Sequence, residues 1–292
     1  MNLESYVTGL MKESSPKGMD RLVLSGLSQL EKMYFSQVEK KRTADMAAAV
    51  SAHVPVISVG NITAGGTGKT PCILMLAELF RSIGKKPAII SRGYKSGLEK
   101  EGGCVSDGSS ILVSQQMAGD EPYMMARKLP SVPIFIGKDR IASVKRAEKM
   151  GVGILLLDDG FQYWKLRRDQ DIILIDATNP FGYGHGLPRG LLREPLDALS
   201  RASLFILTKS DQVHLTDLME IREELARLAP GVPVLSSTHA PSKVVPYEKW
   251  KAFRHEGTLE DVRMKKAYLV SGIGNPAAFK KTAKEAGLSF VG

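Results

Sequence analysis

The chain has 292 residues, 43% of them hydrophobic and 24% charged, the balance of a water-soluble folded chain with one large or two modest domains. No apolar run approaches the roughly 18 residues of a membrane span, and two cysteines, Cys72 and Cys104, suggest neither a disulfide framework nor a metal knuckle. The net charge of +9 directs attention to anionic partners such as nucleotides or an anionic membrane surface; with no zinc-finger spacing, aromatic RNA-binding signature or long basic arm, nucleic acid is not expected.

The opening MNLESYVTGLMKESS lacks the charged lead and apolar core of a signal peptide, so a cytoplasmic location is expected. Residues 18–50 read as a helix, with Leu22, Leu27, Leu30, Met33, Tyr34 and Val38 close to a 3.6-residue period. Its basic end, Lys40-Lys41-Arg42, suits a helix lying on an anionic bilayer. The same apolar stripe suits packing against a neighbouring domain, and the spacing leaves both readings open.

Residues 54–71, VPVISVGNITAGGTGKTP, are the stretch on which the chain is organised. An apolar run leads into a glycine-rich turn, then Gly68-Lys69-Thr70-Pro71 and an amphipathic segment over 72–83. Strand, glycine turn, Lys-Thr and helix are the parts of a phosphate-binding P-loop. The glycines let the backbone approach phosphate oxygens, and the helix N-terminus turns free N–H groups toward them. Lys69 would reach the β- and γ-phosphates and the Thr70 hydroxyl would ligate Mg²⁺. One departure stands out: the strict pattern places glycine five residues before Gly68, where this chain has Thr63.

Downstream, residues 86–91 read as a buried strand followed by Arg92-Gly93-Tyr94-Lys95, and 96–110 as a loop with a short hairpin. In Gly119-Asp120-Glu121-Pro122, the proline fits an early helical position with carboxylates at the N-terminal end. A strand at 132–136 and a helix at 139–149 follow. Then an apolar run, 154–157, meets Asp158-Asp159-Gly160. Further strands are expected at 171–175, 204–207, 232–235, 266–271 and 288–291. Helices are expected at 218–228 and after Gly272-Ile273-Gly274-Asn275-Pro276, and 179–195 is a long Gly/Pro-rich loop. Strands alternating with helices as continuous apolar runs predict an α/β fold, a P-loop NTPase-like, mostly parallel sheet with helices on both faces. Right-handed crossovers bring the P-loop, Arg92, Asp158 and Thr208 to one edge of it.

Asp158 and Asp159 at a strand end fit a Walker B element holding Mg²⁺, a cation that takes one or two carboxylates beside phosphate and water; a turn or helix cap is the plainer use of Asp-Asp-Gly. Asp120 and Glu121 are candidates for the base that deprotonates an acceptor hydroxyl, or an acidic helix cap. Arg193-Glu194 lies in a long loop, where functional residues concentrate. Thr208-Lys209-Ser210-Asp211 is similar to the guanine-reading element of GTPases, which keeps a P-loop GTPase or NTP-dependent metallochaperone open as an alternative.

VGNITAGGTGKTP, SRGYK, AGDEPY, LDDGFQ, LPRGLLREP, LTKSD and SGIGNP, in this order, resemble the tetraacyldisaccharide 4′-kinase family of lipid A biosynthesis. The resemblance implies transfer of the ATP γ-phosphate to the 4′-hydroxyl of a tetraacyldisaccharide 1-phosphate, with Mg²⁺. It further implies a peripheral position on the anionic cytoplasmic face of the bacterial inner membrane, through the N-terminal helix, with no obligate protein partner. Carried over by position, the ATP loop falls on Thr63, Ala64, Gly65, Gly66, Thr67, Gly68, Lys69 and Thr70, and the catalytic base on Asp120. Catalysis is also assigned to Lys69 and Asp159. The metal falls to Thr70, Asp158 and Glu194, and the acceptor headgroup to Arg92, Tyr94, Arg140 and Gln162. Tyr163 stands where the family commonly has His, and the sequence ends before the family's FPDH segment, whose His supports the catalytic Asp, and a later T-x-K-D stretch. The expected organisation is a membrane-contacting helical region (1–50), a P-loop kinase core (51–238) and the beginning of an incomplete second α/β subdomain (239–292).

Overall fold

A computed structural model describes residues 6, 9–11, 17–238 and 240–291, apart from 242, 253, 255 and 273–275. Ile273, Gly274 and Asn275, read as the turn opening the last helix, lie outside these. The core is an eight-stranded sheet of order β3-β4-β2-β5-β1-β6-β7-β8. Its strands are β1 (Val56–Gly60), β2 (Pro87–Ser91), β3 (Gly103–Asp107), β4 (Pro133–Ile136), β5 (Ile154–Asp158), β6 (Gln170–Asp176), β7 (Leu204–Thr208) and β8 (Val234–Ser236). All neighbours pair in parallel except β3, which runs antiparallel to β4. β1 sits between β5 and β6, so the loops leaving these three strands converge.

The apolar runs are continuous because both faces of the sheet are covered. On one face, Ile73, Leu76 and Ala77 of α2 (Lys69–Ser82) and Met125 of α4 (Asp120–Lys128) pack on Val59, Ile89, Leu156 and Leu174. On the other, Val144 and Ala147 of α5 (Arg140–Lys149) cover Ala88, Ile90, Leu155 and Leu157. Farther along this second face, Ile221 and Leu225 of α6 (Leu215–Leu228) cover Ile173, Ile175, Phe205 and Leu207. Two one-turn helices, α3 (Gln115–Ala118) and α7 (Tyr247–Lys251), lie in the connections.

Two local expectations change. The segment read as a loop with a short hairpin contributes β3, an edge strand paired to β4 with a register shift between Cys104 and Ser106. The strand expected over 266–271 shrinks to β9 (Lys266–Ala267). Its partner is the equally short β10 (Ser289–Phe290), after α8 (Pro276–Glu285), and without a longer partner the ladder cannot extend.

The long helix α1 (Met19–Ala47) divides its apolar residues between two sides. One side docks on the 182–195 loop. There the Arg189 guanidinium donates to Ser28 Oγ at 2.7 Å and the Gly186 N–H donates to Glu31. Phe35 lies so close to Gly186 that a Cβ there would meet its ring at 2.2 Å. The opposite side leaves Met19, Leu22, Leu30 and Met33 exposed, at spacings that share a helix face. Among the described residues no helix is long and apolar enough to cross a membrane.

Leu156 is fully buried in the layer beneath α2. Leu156→Ala should destabilise the fold by about 2–5 kcal/mol, read as a lower urea midpoint with an unchanged m-value.

Candidate active site

The P-loop geometry follows from its glycines. Gly65 and Gly68 have φ of 122° and 90°, a region that residues with a Cβ rarely enter. Gly68 caps α2, which starts at Lys69. A Cβ on Gly65 or Gly66 would meet nothing within 4 Å, so this stretch of backbone is open to a ligand. The loop is held from behind by the 182–195 segment. Ala64 N–H donates to Leu191 O at 2.7 Å and Arg193 N–H to Ile62 O at 2.8 Å, and Thr63 forms an antiparallel bridge with Leu192.

β1 and β5 bring their ends together through two further glycines. A Cβ on Gly60 would lie 2.6 Å from Phe161 Cβ, and one on Gly160 would lie 2.6 Å from Ser58 Oγ. The tight turn after β5 puts Asp159 at φ 48° with its carboxylate toward Lys69 and Arg193. Arg193 donates to it twice, Nη1 to Oδ1 at 2.7 Å and Nη2 to Oδ2 at 3.2 Å. Lys69 Nζ lies 3.7 Å from Oδ1. Buried Asn61 joins them, its Oδ1 accepting from Lys69 Nζ at 3.1 Å and from Arg193 Nη1 at 3.2 Å. Buried Arg140 supports the turn through Asp159 O at 2.9 Å.

The two aspartates therefore differ. Burial pushes Asp158 up, against a 2.9 Å hydrogen bond from Ser91 and the charge of Arg140. Burial also opposes ionisation of Asp159, but the hydrogen bonds and charge of Arg193, with Lys69 and Arg140, outweigh it and hold the group below the usual carboxylate range. The Asp158 and Asp159 carboxylates and the hydroxyl of Thr70, second residue of α2, are hard-oxygen groups of the kind Mg²⁺ takes, and a cation would offset the cost of an ionised buried Asp158.

A cleft of about 750 Å³ opens beside this cluster. Arg92, Arg140, Asp159, Gln162, Tyr163 and Arg193 line it from the sheet side, and Tyr34, Val38, Lys41 and Asp45 of α1 close the other wall. Lys100, Lys138 and Lys165 also line it, so cations outnumber carboxylates. Tyr163, the departure from the expected His, accepts from the Arg140 N–H at 3.0 Å and faces its guanidinium.

Several expected residues are engaged by other partners or lie outside the cleft lining. Glu194 is fully buried, with Arg201 donating to both its oxygens at 3.0 and 2.8 Å and Gln162 to one at 3.0 Å. Its carboxylate is thus engaged behind the site, a correction to its expected place beside the metal. Gln162 touches the cleft edge, but its amide also donates to Asn61 O. Arg92 is paired to Glu99 at 2.7 Å, and Tyr94 is exposed outside the cleft lining. Asp120 is exposed in the first turn of α4, where Gln115 donates to it at 2.8 Å. Asn61 and Tyr34 were not expected as site residues, and Arg193 was singled out only with Glu194 as part of a long loop, with no role assigned; the one signal for Asn61 is that it follows the first strand. After β7, Lys209 pairs with Asp176, and Asp211 lies 3.7 Å from Lys281 of α8.

A family model described as tetraacyldisaccharide-1-P 4′-kinase matches residues 21–292. A tetraacyldisaccharide 4′-kinase of Halothermothrix orenii is 37% identical over 299 residues, an alignment taking in 99% of this chain and 78% of that protein. One from Desulfatibacillum aliphaticivorans is 43% identical over 231 residues, covering 77% of this chain and 60% of that protein. The chain thus spans between 60% and 78% of the length of these two relatives. The crystal structure of the "apo" form of LpxK from Aquifex aeolicus in complex with ATP superposes with a TM-score of 0.70 at 30% identity, over 92% of this chain and 80% of that one.

Because Asp159 is held below the usual range, its ionised form stabilises the fold above the unfolded value of about 3.9. That contribution is lost as the pH falls through the lower folded value. Arg193→Met removes the main contact responsible. Urea unfolding should find the variant less stable than the parent at neutral pH, with the difference shrinking as the pH drops below about 4.

Proposed function

Because the chain belongs to the tetraacyldisaccharide-1-P 4′-kinase family, we propose that it transfers the γ-phosphate of ATP to the 4′-hydroxyl of a tetraacyldisaccharide 1-phosphate in lipid A biosynthesis. The observation that carries this reading is a basic cleft whose far wall is a helix with an exposed apolar stripe and whose lining includes Arg193 and Asp159, the latter 3.7 Å from Lys69 of the P-loop. The cleft has room and charge for an anionic sugar headgroup, and the stripe offers acyl chains a route from a bilayer. A guanine-reading GTPase is not favoured: the relatives are lipid kinases, and Lys209 and Asp211 of the TKSD element are engaged by Asp176 and Lys281.

In this reading the backbone of Thr63 to Thr70 cradles the ATP phosphates, and Lys69 neutralises charge on the transferring group. Thr70, Asp158 and Asp159 would hold Mg²⁺, which when bound screens the phosphate oxygens from the incoming hydroxyl. Asp120 accepts the proton of the 4′-hydroxyl. Arg140 and Arg193 both hold Asp159 from the cleft, so charge developing on the phosphoryl oxygens beside Lys69 would meet cations already in position. Arg92 and Gln162, at the cleft edge, orient the headgroup.

The apolar stripe and net positive charge support a peripheral seat on an anionic bilayer, which in the proposed pathway is the cytoplasmic face of the inner membrane. The double change Leu22→Glu and Leu30→Glu touches only exposed positions. It should abolish co-flotation with phosphatidylglycerol vesicles and leave the thermal midpoint in place. Retained flotation would remove the stripe from the account.

A positioned base contributes about 10²–10⁴-fold to proton transfer. Asp120→Asn should therefore lower kcat by about that factor in a radiolabelled γ-phosphate transfer assay, with little change in the KM for ATP. An unchanged kcat would assign the base elsewhere.

A further inference from the structure

α1 does more than form a wall. The Tyr34 hydroxyl is half-buried and donates to the main-chain carbonyl of Arg193 at 3.0 Å, across 159 residues of sequence. Burial pushes this phenol's pKa up, with Glu194 reinforcing the shift and Arg193 opposing it, so it remains a neutral donor at physiological pH. The backbone of Arg193 is fixed on one side by its N–H to Ile62 O at 2.8 Å and on the other by Tyr34. Its guanidinium then spans Asp159 and Asn61, the two groups that also hold Lys69.

We propose that Tyr34 is a positioning residue for phosphoryl transfer: by anchoring the Arg193 carbonyl it sets the guanidinium against Asp159, and so fixes Lys69 at the phosphate site. This rests on the kinase reading above and deepens it by making the bilayer-facing helix part of the catalytic apparatus. Further tethers of α1 to the same loop, Arg189 to Ser28 at 2.7 Å, Gly186 to Glu31 and His185 to Glu31 at 3.4 Å, reach residues before Arg193. They hold the helix without touching that carbonyl. Positioning is therefore assigned to one hydroxyl, and docking is shared among several contacts.

Tyr34→Phe removes the hydroxyl and keeps the ring. One hydrogen bond bears on about a three- to tenfold change in rate, so kcat should fall by that factor while the KM for ATP and the thermal midpoint stay near those of the parent. Ser28→Ala, which loosens the same helix on the same loop, should keep the parental kcat. In an Arg193→Lys background, adding Tyr34→Phe should cause little further loss, the non-additivity of coupled residues. Acceptor-independent ATP hydrolysis, measured on the same variants, reads the Tyr34 effect even with no lipid acceptor present. Loss of 4′-phosphorylation by the parent would therefore count against the kinase reading and leave the Tyr34 test intact. The proposal is overturned by a parental hydrolysis rate in Tyr34→Phe, by an equal loss in Ser28→Ala, or by additive losses with Arg193→Lys.

Discussion

Asp159 keeps its charge at a position where burial opposes it, because Arg193, Lys69 and Arg140 surround it. The rest of the site can be derived from that requirement. The carboxylate reaches the end of β1 only because the turn after β5 takes a left-handed residue at Asp159. The turn fits because Gly60 and Gly160 leave room for Phe161 and Ser58. Arg193 reaches it only because its loop pairs with the P-loop backbone at Ile62 and Ala64. Interactions of charges across a few ångströms are strong where water is partly excluded, and the same enclosure makes an unmatched charge costly. In the proposed reaction, a phosphate group arriving at Lys69 would therefore meet an excess of cations already held in place, which need little reorganisation.

The sheet supplies the rigidity for this arrangement. β1 is held on both sides by strands that contribute to the cluster or its surroundings, β5 with the aspartates and β6 leading to the 182–195 loop. That loop serves as a hub. It backs the P-loop, presents Arg193, buries the Glu194–Arg201 pair and receives α1. Glu194 is informative in this respect. A buried carboxylate with both oxygens committed to a half-buried arginine is a structural brace, and removing the arginine would leave a buried charge unpaired. The helix that leaves an apolar stripe toward solvent thus also lines the basic cleft and touches the arginine of the phosphate site. In the proposed reading, bilayer contact, acceptor entry and donor positioning would share this one element.

The layered fold was legible because buried parallel strands write themselves as uninterrupted apolar runs, and residues 154–157 or 204–207 admit few other readings. The P-loop was legible for a related reason: glycine at positive φ before Lys69 has no substitute. β3 was hidden because an edge strand of Gly, Cys and Ser has weak propensity and exists only through β4. The extent of β9 was overestimated because Tyr268 to Val270 suggest a strand by composition, while strand length is set by the partner. Within the site, Lys69, Asp158 and Asp159 stood out from local context. The partners of Glu194 could not, since Arg201 meets it through the fold of the loop, and neither could the bond from Tyr34 to a carbonyl more than half the chain away. Backbone acceptors leave no mark in a sequence.

The claim at the centre is that a nucleotide phosphate site and a lipid headgroup site share the cleft beside Asp159. It is tested most directly by phosphorus NMR of the product formed from ATP and tetraacyldisaccharide 1-phosphate in mixed micelles. The account predicts a second phosphomonoester resonance, correlated to the proton on the 4′ carbon, that is absent when Lys69→Ala replaces the parent. A product phosphorylated at another carbon, or the same resonance with Lys69→Ala, would contradict it.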